Sequence, residues 1–223
     1  LWMAHPAWPS MVWQTYDYYF EPTAAYFGCM KGNEPLHIQW NAATDEVEVV
    51  NYSAGRHTAL QAKAQLINLD GSVAWERSCE LSSDEDTTTN CFKIEFPTTL
   101  SSAHFVKLTL SKGENILSDN FYIRGTEEGN YQAIRTMPKV ELHTDFSTSR
   151  TDEEWHGLAV VRNTSNTPAL MIRLNLVGAA DAEQILPVFY SDNYFALMPG
   201  EERTINLRWS DRDTRGCTPQ LTV

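Results

Sequence analysis

Apolar side chains recur at every second position along two stretches of this chain, and that period fixes most of what it can fold into. Leu170, Ile172, Leu174 and Leu176 alternate with Met171, Arg173 and Asn175, while Ile205, Leu207 and Trp209 alternate with Thr204, Asn206 and Arg208. Successive side chains of a β-strand point to opposite faces, so each stretch predicts a half-buried strand. Val106, Leu108 and Leu110 repeat the pattern. Turn residues fall between such runs: Asp70-Gly71 after the Gln65 to Leu69 run, Lys112-Gly113-Glu114-Asn115 between two others, and Pro199-Gly200 before Ile205. Short strands with regular turns predict an all-β fold of antiparallel sandwiches.

A single helix is expected from about Pro22 to Lys31, opened by Glu21-Pro22 and closed by Gly32-Asn33. It belongs to a leading segment, 1–34, rich in aromatic residues: Trp2, Trp8, Trp13, Tyr16, Tyr18, Tyr19, Phe20, Tyr26 and Phe27. A solvated tail does not carry so many rings, and burial of this segment is expected. The helix is expected to dock on the first sandwich through Tyr26, Phe27 and Met30. Further on, the polar stretch Gly125 to Asn130 and then Met137-Pro138 separate two strand-rich blocks of similar length. The expected division is 1–34, a first β-sandwich at 35–135 and a second at 136–223.

Composition removes several classes of function. Acidic residues outnumber basic ones 29 to 17, for a net charge of -12, which repels phosphate backbones and argues against a nucleic-acid partner. No apolar run approaches the roughly 20 residues that span a bilayer, so membrane insertion is not expected. Leu1-Trp2-Met3 shows neither a basic n-region nor a cleavage site, and reads as a chain cut from something longer. The four cysteines, Cys29, Cys79, Cys91 and Cys217, lack CxxC spacing and nearby histidines, so no metal is expected. Cys79 and Cys91 flank the polar stretch Ser82 to Asn90, which closed as a hairpin loop would set their thiols opposite each other. A disulfide and a pair of half-buried strand thiols both stay open, the second favoured because the compartment is unmarked.

The leading segment resembles a known family. Trp2-Met3, Ala7-Trp8-Pro9-Ser10, Trp13, Tyr16-Asp17-Tyr18-Tyr19, Ala25-Tyr26-Phe27-Gly28 and Glu34-Pro35-Leu36-His37 are similar to the end of the catalytic (β/α)8 barrel of family 2 glycoside hydrolases, of exo-β-glucosaminidase and β-mannosidase type. Asp119-Asn120-Phe121-Tyr122 resembles the closing strand of the sandwich that follows the barrel, and the run Ile185 to Glu201 resembles the immunoglobulin-like C-terminal domain of the glucosaminidase type. Ala4 and His5 stand where members usually carry Leu-Asn. The resemblance implies two immunoglobulin-like sandwiches preceded by a short helical remnant of the barrel. It also implies a retaining hydrolase of O-glycosidic bonds whose acid/base and nucleophile glutamates lie upstream of Leu1, so no catalytic residue is carried over and no cofactor is expected. The implied partners are the upstream barrel of the same polypeptide and, through the intact enzyme, a carbohydrate substrate. A periplasmic or secreted location is expected of the intact protein.

Within the segment, Trp8 and Tyr16 are the candidates to stack on a sugar face in the intact enzyme, because an aromatic ring offers pyranose C–H groups a flat apolar surface; barrel-base packing is the alternative. The Asp192-Asn193-Tyr194 tip reads either as a loop leaning toward the active-site mouth or as a structural turn. Asp84, Glu85 and Asp86 lack the glycine and distal glutamate of a calcium loop and read as a solvated tip. The six histidines show neither paired spacing nor a GxSxG partner, which argues against a hydrolase triad. Two functions compete: a non-catalytic C-terminal region of a glycoside hydrolase, and a carbohydrate-binding or interaction module unconnected with catalysis. The second needs exposed, coplanar aromatics, for which Trp75, Trp155 and Trp209 are the best residues.

Overall fold

A computed structural model describes residues 8–9 and 14–223. The chain forms two compact units, one from Lys31 to Pro138, the other from Lys139 to Val223 together with the described residues up to Met30. Each has its own hydrophobic core.

The first unit holds seven strands: β1 (Leu36–Asn41), β2 (Glu46–Asn51), β3 (His57–Asn68), β4 (Val73–Ser83), β5 (Thr87–Lys93), β6 (Ala103–Lys112) and β7 (Asn115–Gly125). They make a three-stranded sheet in the order β1-β2-β5 and a four-stranded sheet in the order β4-β3-β6-β7, all neighbours antiparallel. Alternation builds the core between them: Leu60, Ala62, Ala64 and Leu66 of β3 and Val106, Leu108 and Leu110 of β6 are fully buried, facing Ile38, Val47 and Val49 of the other sheet. The β6–β7 hairpin turns at Gly113, whose φ of +60° suits a residue without a Cβ.

β1 is an edge strand, and the backbone groups on its open side need partners. They find them in a row of side chains on one face of β7. Ser118 Oγ accepts from the Ile38 N–H at 3.3 Å, Asn120 Nδ2 donates to the Ile38 carbonyl at 3.3 Å, and Tyr122 Oη accepts from the Trp40 N–H at 3.2 Å. Positions two apart on a strand share a face, so one alternation serves the neighbouring sheet's edge.

The second unit carries β8 (His143–Thr151), β9 (Glu154–Arg162), β10 (Ala169–Ile172), β11 (Asn175–Gly178), β12 (Phe189–Tyr190), β13 (Phe195–Leu197), β14 (Glu202–Ser210) and β15 (Pro219–Thr222). β12-β14-β9-β8 form a four-stranded antiparallel sheet, and β10-β13 and β11-β15 form short antiparallel ladders. Ile205, Leu207 and Trp209 point inward, as their alternation predicts.

Two expectations are corrected. Leu170 to Leu176 do not form one strand. Met171 takes a left-handed φ of +52° and is exposed, the ladder with β13 slips at this point, and both Ala169 and Ile172 are buried although they stand three apart. One residue in that conformation resets the phase of the alternation. The stretch Ser82 to Asn90 is likewise not a hairpin loop: β4 runs to Ser83, β5 starts at Thr87, and the two strands lie in different sheets. Asp84–Asp86 is therefore a corner between sheets, with Asp86 at φ +53°.

Candidate functional site

The leading segment meets the second sandwich through a compact loop whose shape comes from one aspartate. Asp17 Oδ1 accepts from the N–H groups of Tyr19 (2.8 Å) and Glu21 (2.9 Å), and the Asp17 N–H donates to the Glu21 carbonyl at 3.0 Å. Phe20 completes the turn at φ +67°. Thr23 closes the loop, its Oγ1 donating to the carbonyls of Gln14 (3.1 Å) and Thr15 (3.0 Å). Helix α1 (Ala24–Gly32) follows.

This loop delivers Glu21 to the second sandwich. The Glu21 carboxylate pairs with Arg173 and accepts from Gln184 Nε2 at 3.2 Å, and Gln184 in turn donates to Asn175 Oδ1 at 3.0 Å. One turn into α1, the buried Phe27 sets its ring 6.0 Å from that of Tyr194. Tyr194 stands at φ +57° because Asn193 holds the tip. The Asn193 amide is buried; its Oδ1 accepts from the N–H groups of Leu174 (2.8 Å) and Tyr194 (3.0 Å), and its Nδ2 donates to the Leu174 carbonyl at 3.0 Å. Asp192 pairs with Arg203, whose guanidinium lies 5.0 Å over the Phe195 ring. Burial pushes the Tyr194 hydroxyl above its ordinary range, and it pushes Tyr190, whose oxygen accepts from the Leu176 N–H at 3.1 Å, further still. Both hydroxyls stay protonated at physiological pH.

Phe27 of the helix therefore docks on the second sandwich, facing Tyr194, and not on the first as expected, while Tyr26 and Met30 are exposed; Lys31 in the last turn reaches the first sandwich, pairing with Asp119 at 2.6 Å. The Glu21 loop, three residues ahead of the helix and tied to Arg173 and Gln184, brings Phe27 to the Asn193-Tyr194 tip. Asn193 holds that tip as a tight turn, and its Tyr194 ring receives Phe27.

Of the two sugar-stacking candidates, Trp8 is 69% exposed and Tyr16 is half-buried, its ring stacked 6.4 Å from that of Phe20. Trp2 and Trp13 lie outside the described residues. The aromatics proposed for a binding face point inward instead. Trp209 is 1% exposed, Trp155 stacks on it at 6.0 Å with its Nε1 donating to Asp211 at 2.7 Å, and Trp75 packs against the first core and the Phe92 ring. Cys79 and Cys91 are free thiols, both half-buried against the first core, and Cys91 Sγ donates to the Thr89 carbonyl at 3.7 Å. Among the described residues no group of three or more His, Cys, Asp or Glu side chains gathers as for a metal, and no helix is long and apolar enough to cross a membrane.

Sequence reasoning missed Glu21, Arg173 and Gln184. Arg173 looked like an ordinary wet-face residue, and a pair separated by 152 positions leaves no local pattern.

Fold and docked segment together define a pair of immunoglobulin-like β-sandwiches, the second of which carries the leading helical segment. Residues 120–223 match the exo-β-D-glucosaminidase Ig-fold domain family. Over its full length the chain is 29% identical to the exo-β-D-glucosaminidase of Streptomyces avermitilis and 26% identical to that of Amycolatopsis orientalis, and spans 27% and 24% of those proteins. It is 25% identical to the mannosylglycoprotein endo-β-mannosidase of Lilium longiflorum, of which it spans 30%. In structure it matches the Amycolatopsis orientalis exo-chitosanase with a TM-score of 0.91 at 24% identity, over 99% of this chain and 29% of that one. The β-D-mannosidase of Dictyoglomus thermophilum is similar in fold at a TM-score of 0.65 and 13% identity, over 98% of this chain and 25% of its own. The chain thus spans about a quarter of the length of the relatives it matches, and its likeness is to part of these glycosidases.

Proposed function

We propose that this chain is the non-catalytic C-terminal β-sandwich region of a retaining, exo-acting family 2 glycoside hydrolase of exo-β-glucosaminidase or β-mannosidase type. In the intact enzyme it supports the catalytic barrel and forms one wall of the substrate entrance, while two barrel glutamates hydrolyse the O-glycosidic bond. The same reading puts the intact protein in the periplasm or outside the cell.

The observation that carries this reading is the tie of the barrel-like segment to the second sandwich through Glu21 with Arg173 and Phe27 with Tyr194. Tyr18, Tyr19 and Phe20 remain 39–58% exposed on the same rigid loop. A large aromatic hides roughly 150–250 Å² on burial, at about 25 cal/mol per Å², so a barrel seated on these rings gains several kcal/mol. Retaining hydrolysis itself needs two carboxylates about 5–5.5 Å apart at the strand ends of a barrel.

Two measurements test the reading. The purified chain is expected to release no nitrophenol from aryl β-glucosaminides or β-mannosides; release that a mutation within the chain abolishes overturns the proposal. In the longer polypeptide, Arg173→Ala is expected to shorten the thermal half-life of glycosidase activity and leave KM nearly unchanged. An unaltered half-life removes the support role.

A further inference from the structure

β4 and β5 are edge strands of opposite sheets of the first sandwich, and the Asp84–Asp86 corner sends one into the other. From that corner a row of side chains joins them across the sandwich. Thr89 Oγ1 donates to Ser83 Oγ at 3.3 Å. Farther along, the Arg77 guanidinium lies 5.2 Å over the Phe92 ring, and the Trp75 ring is 6.3 Å from the same ring. Cys79 and Cys91 occupy the step between these contacts, both half-buried against the same core, with Cys91 Sγ donating to the Thr89 carbonyl at 3.7 Å. A bulge makes the meeting possible. Val47 pairs with Phe92 and Glu48 with Asn90, so Cys91 is left out of the ladder, and its side chain and the buried Phe92 both serve the interior.

We propose that Cys79 and Cys91 are a site of covalent modification, a disulfide that staples the two sheets of the first sandwich at their open side. The oxidant is a disulfide, small-molecule or protein-borne, of the kind an oxidising compartment supplies. The Cys79 thiolate attacks one sulfur of that disulfide and expels the other as a thiolate. The Cys91 thiolate then attacks the Cys79 sulfur of the mixed disulfide and expels the second oxidant thiolate. One S–S bond forms in the protein and one breaks in the oxidant. Two electrons and the two cysteine protons leave with the oxidant, which departs as two thiols.

The surroundings decide what kind of bond this is. Burial is the main cause that raises the Cys79 thiol above its ordinary range and pushes Cys91 up to about 12. Such thiols react slowly and leave poorly, so the bond forms once during maturation and resists reduction afterwards. It is a structural staple and not a switch.

The test uses the chain itself, incubated with oxidised and reduced glutathione, alkylated and digested without reduction. Mass spectrometry is expected to find a Cys79–Cys91 peptide pair two hydrogens lighter than the sum of its reduced parts. The pair should persist in a Cys29→Ser/Cys217→Ser variant. The oxidised chain is expected to melt on the order of 10 °C above its reduced form. Recovery of Cys79 and Cys91 in alkylated form, as stable glutathione adducts, or joined to Cys29 or Cys217 overturns the proposal. A linked pair with no rise in Tm overturns the stapling role.

Discussion

The two sandwiches solve one problem in different ways. In each, a strand exposes backbone groups that no neighbouring strand takes up. In the first, the row Ser118, Asn120 and Tyr122 divides the work along β7, each side chain making one bond to β1. In the second, the backbone of Leu174 depends on the amide of Asn193 alone, which serves both its N–H and its carbonyl, with Tyr190 adding a bond to Leu176. A regular strand spreads the demand; a broken one concentrates it in a single buried side chain. Damage to the two rows should therefore differ in size.

The largest difference is expected between Asn193→Ala and Ser118→Ala. The first leaves two buried backbone groups unpaired and should cost about 3 kcal/mol, the second about 1 kcal/mol. Urea unfolding gives the totals, and hydrogen exchange shows which amides lose protection. Equal losses would break the comparison. Asn193→Asp sharpens it, because the carboxylate keeps the acceptor for the Leu174 N–H and loses the donor to its carbonyl.

A second effect belongs to close packing in the β8–β9–β14 sheet. A Cβ on Gly157 would lie 2.9 Å from Phe146 Cε2 and 3.0 Å from Trp209 Cζ3, among the rings that fill this core. Gly157→Ala should therefore cost about 2 kcal/mol of overpacking. Gly113→Ala in the first sandwich meets nothing within 4 Å and suffers only the strain of its φ of +60°, a smaller loss of about 1 kcal/mol. Chevron or equilibrium data that reverse this order would place the tighter core in the first unit.

Much of this could be read from the sequence, and what could not has physical causes. Alternation located β6 and β14 and the inward face of Trp209, because period two survives wherever a strand is regular. It failed at Met171, since a single left-handed residue shifts the phase and no propensity marks a methionine for that role. The polar stretch near Asp84 was visible as a turn, yet whether it closes a hairpin or crosses between sheets depends on which strands pair elsewhere. The docking site was least legible. Its chemistry is an ordinary glutamate and an ordinary arginine, and only the fold brings Glu21 to Arg173.

The smallest expected effect concerns pH and belongs to a buried histidine of the first sandwich. His104 is fully buried, with Nδ1 at 3.2 Å from the Ser101 carbonyl and Nε2 at 3.4 Å from Arg124 Nη1. The carbonyl can only accept, so Nδ1 carries the hydrogen of the neutral ring, and a second proton on Nε2 would face a guanidinium held 4.1 Å over Phe96. Burial is the main cause that lowers the pKa below 6.5; the Arg124 charge adds to it, while the Ser101 carbonyl opposes it. The unfolded chain therefore takes up this proton first. As pH falls through the unfolded value near 6.5 the unfolded state gains protons that the native state refuses, so stability is lost until the folded pKa is reached. His143 and His156 of the second sandwich are exposed. His104→Gln should flatten the fall in Tm between about pH 7 and 5, whatever it does to Tm at the upper end. Parallel slopes for the two proteins would show that the buried ring plays no part in the acid response.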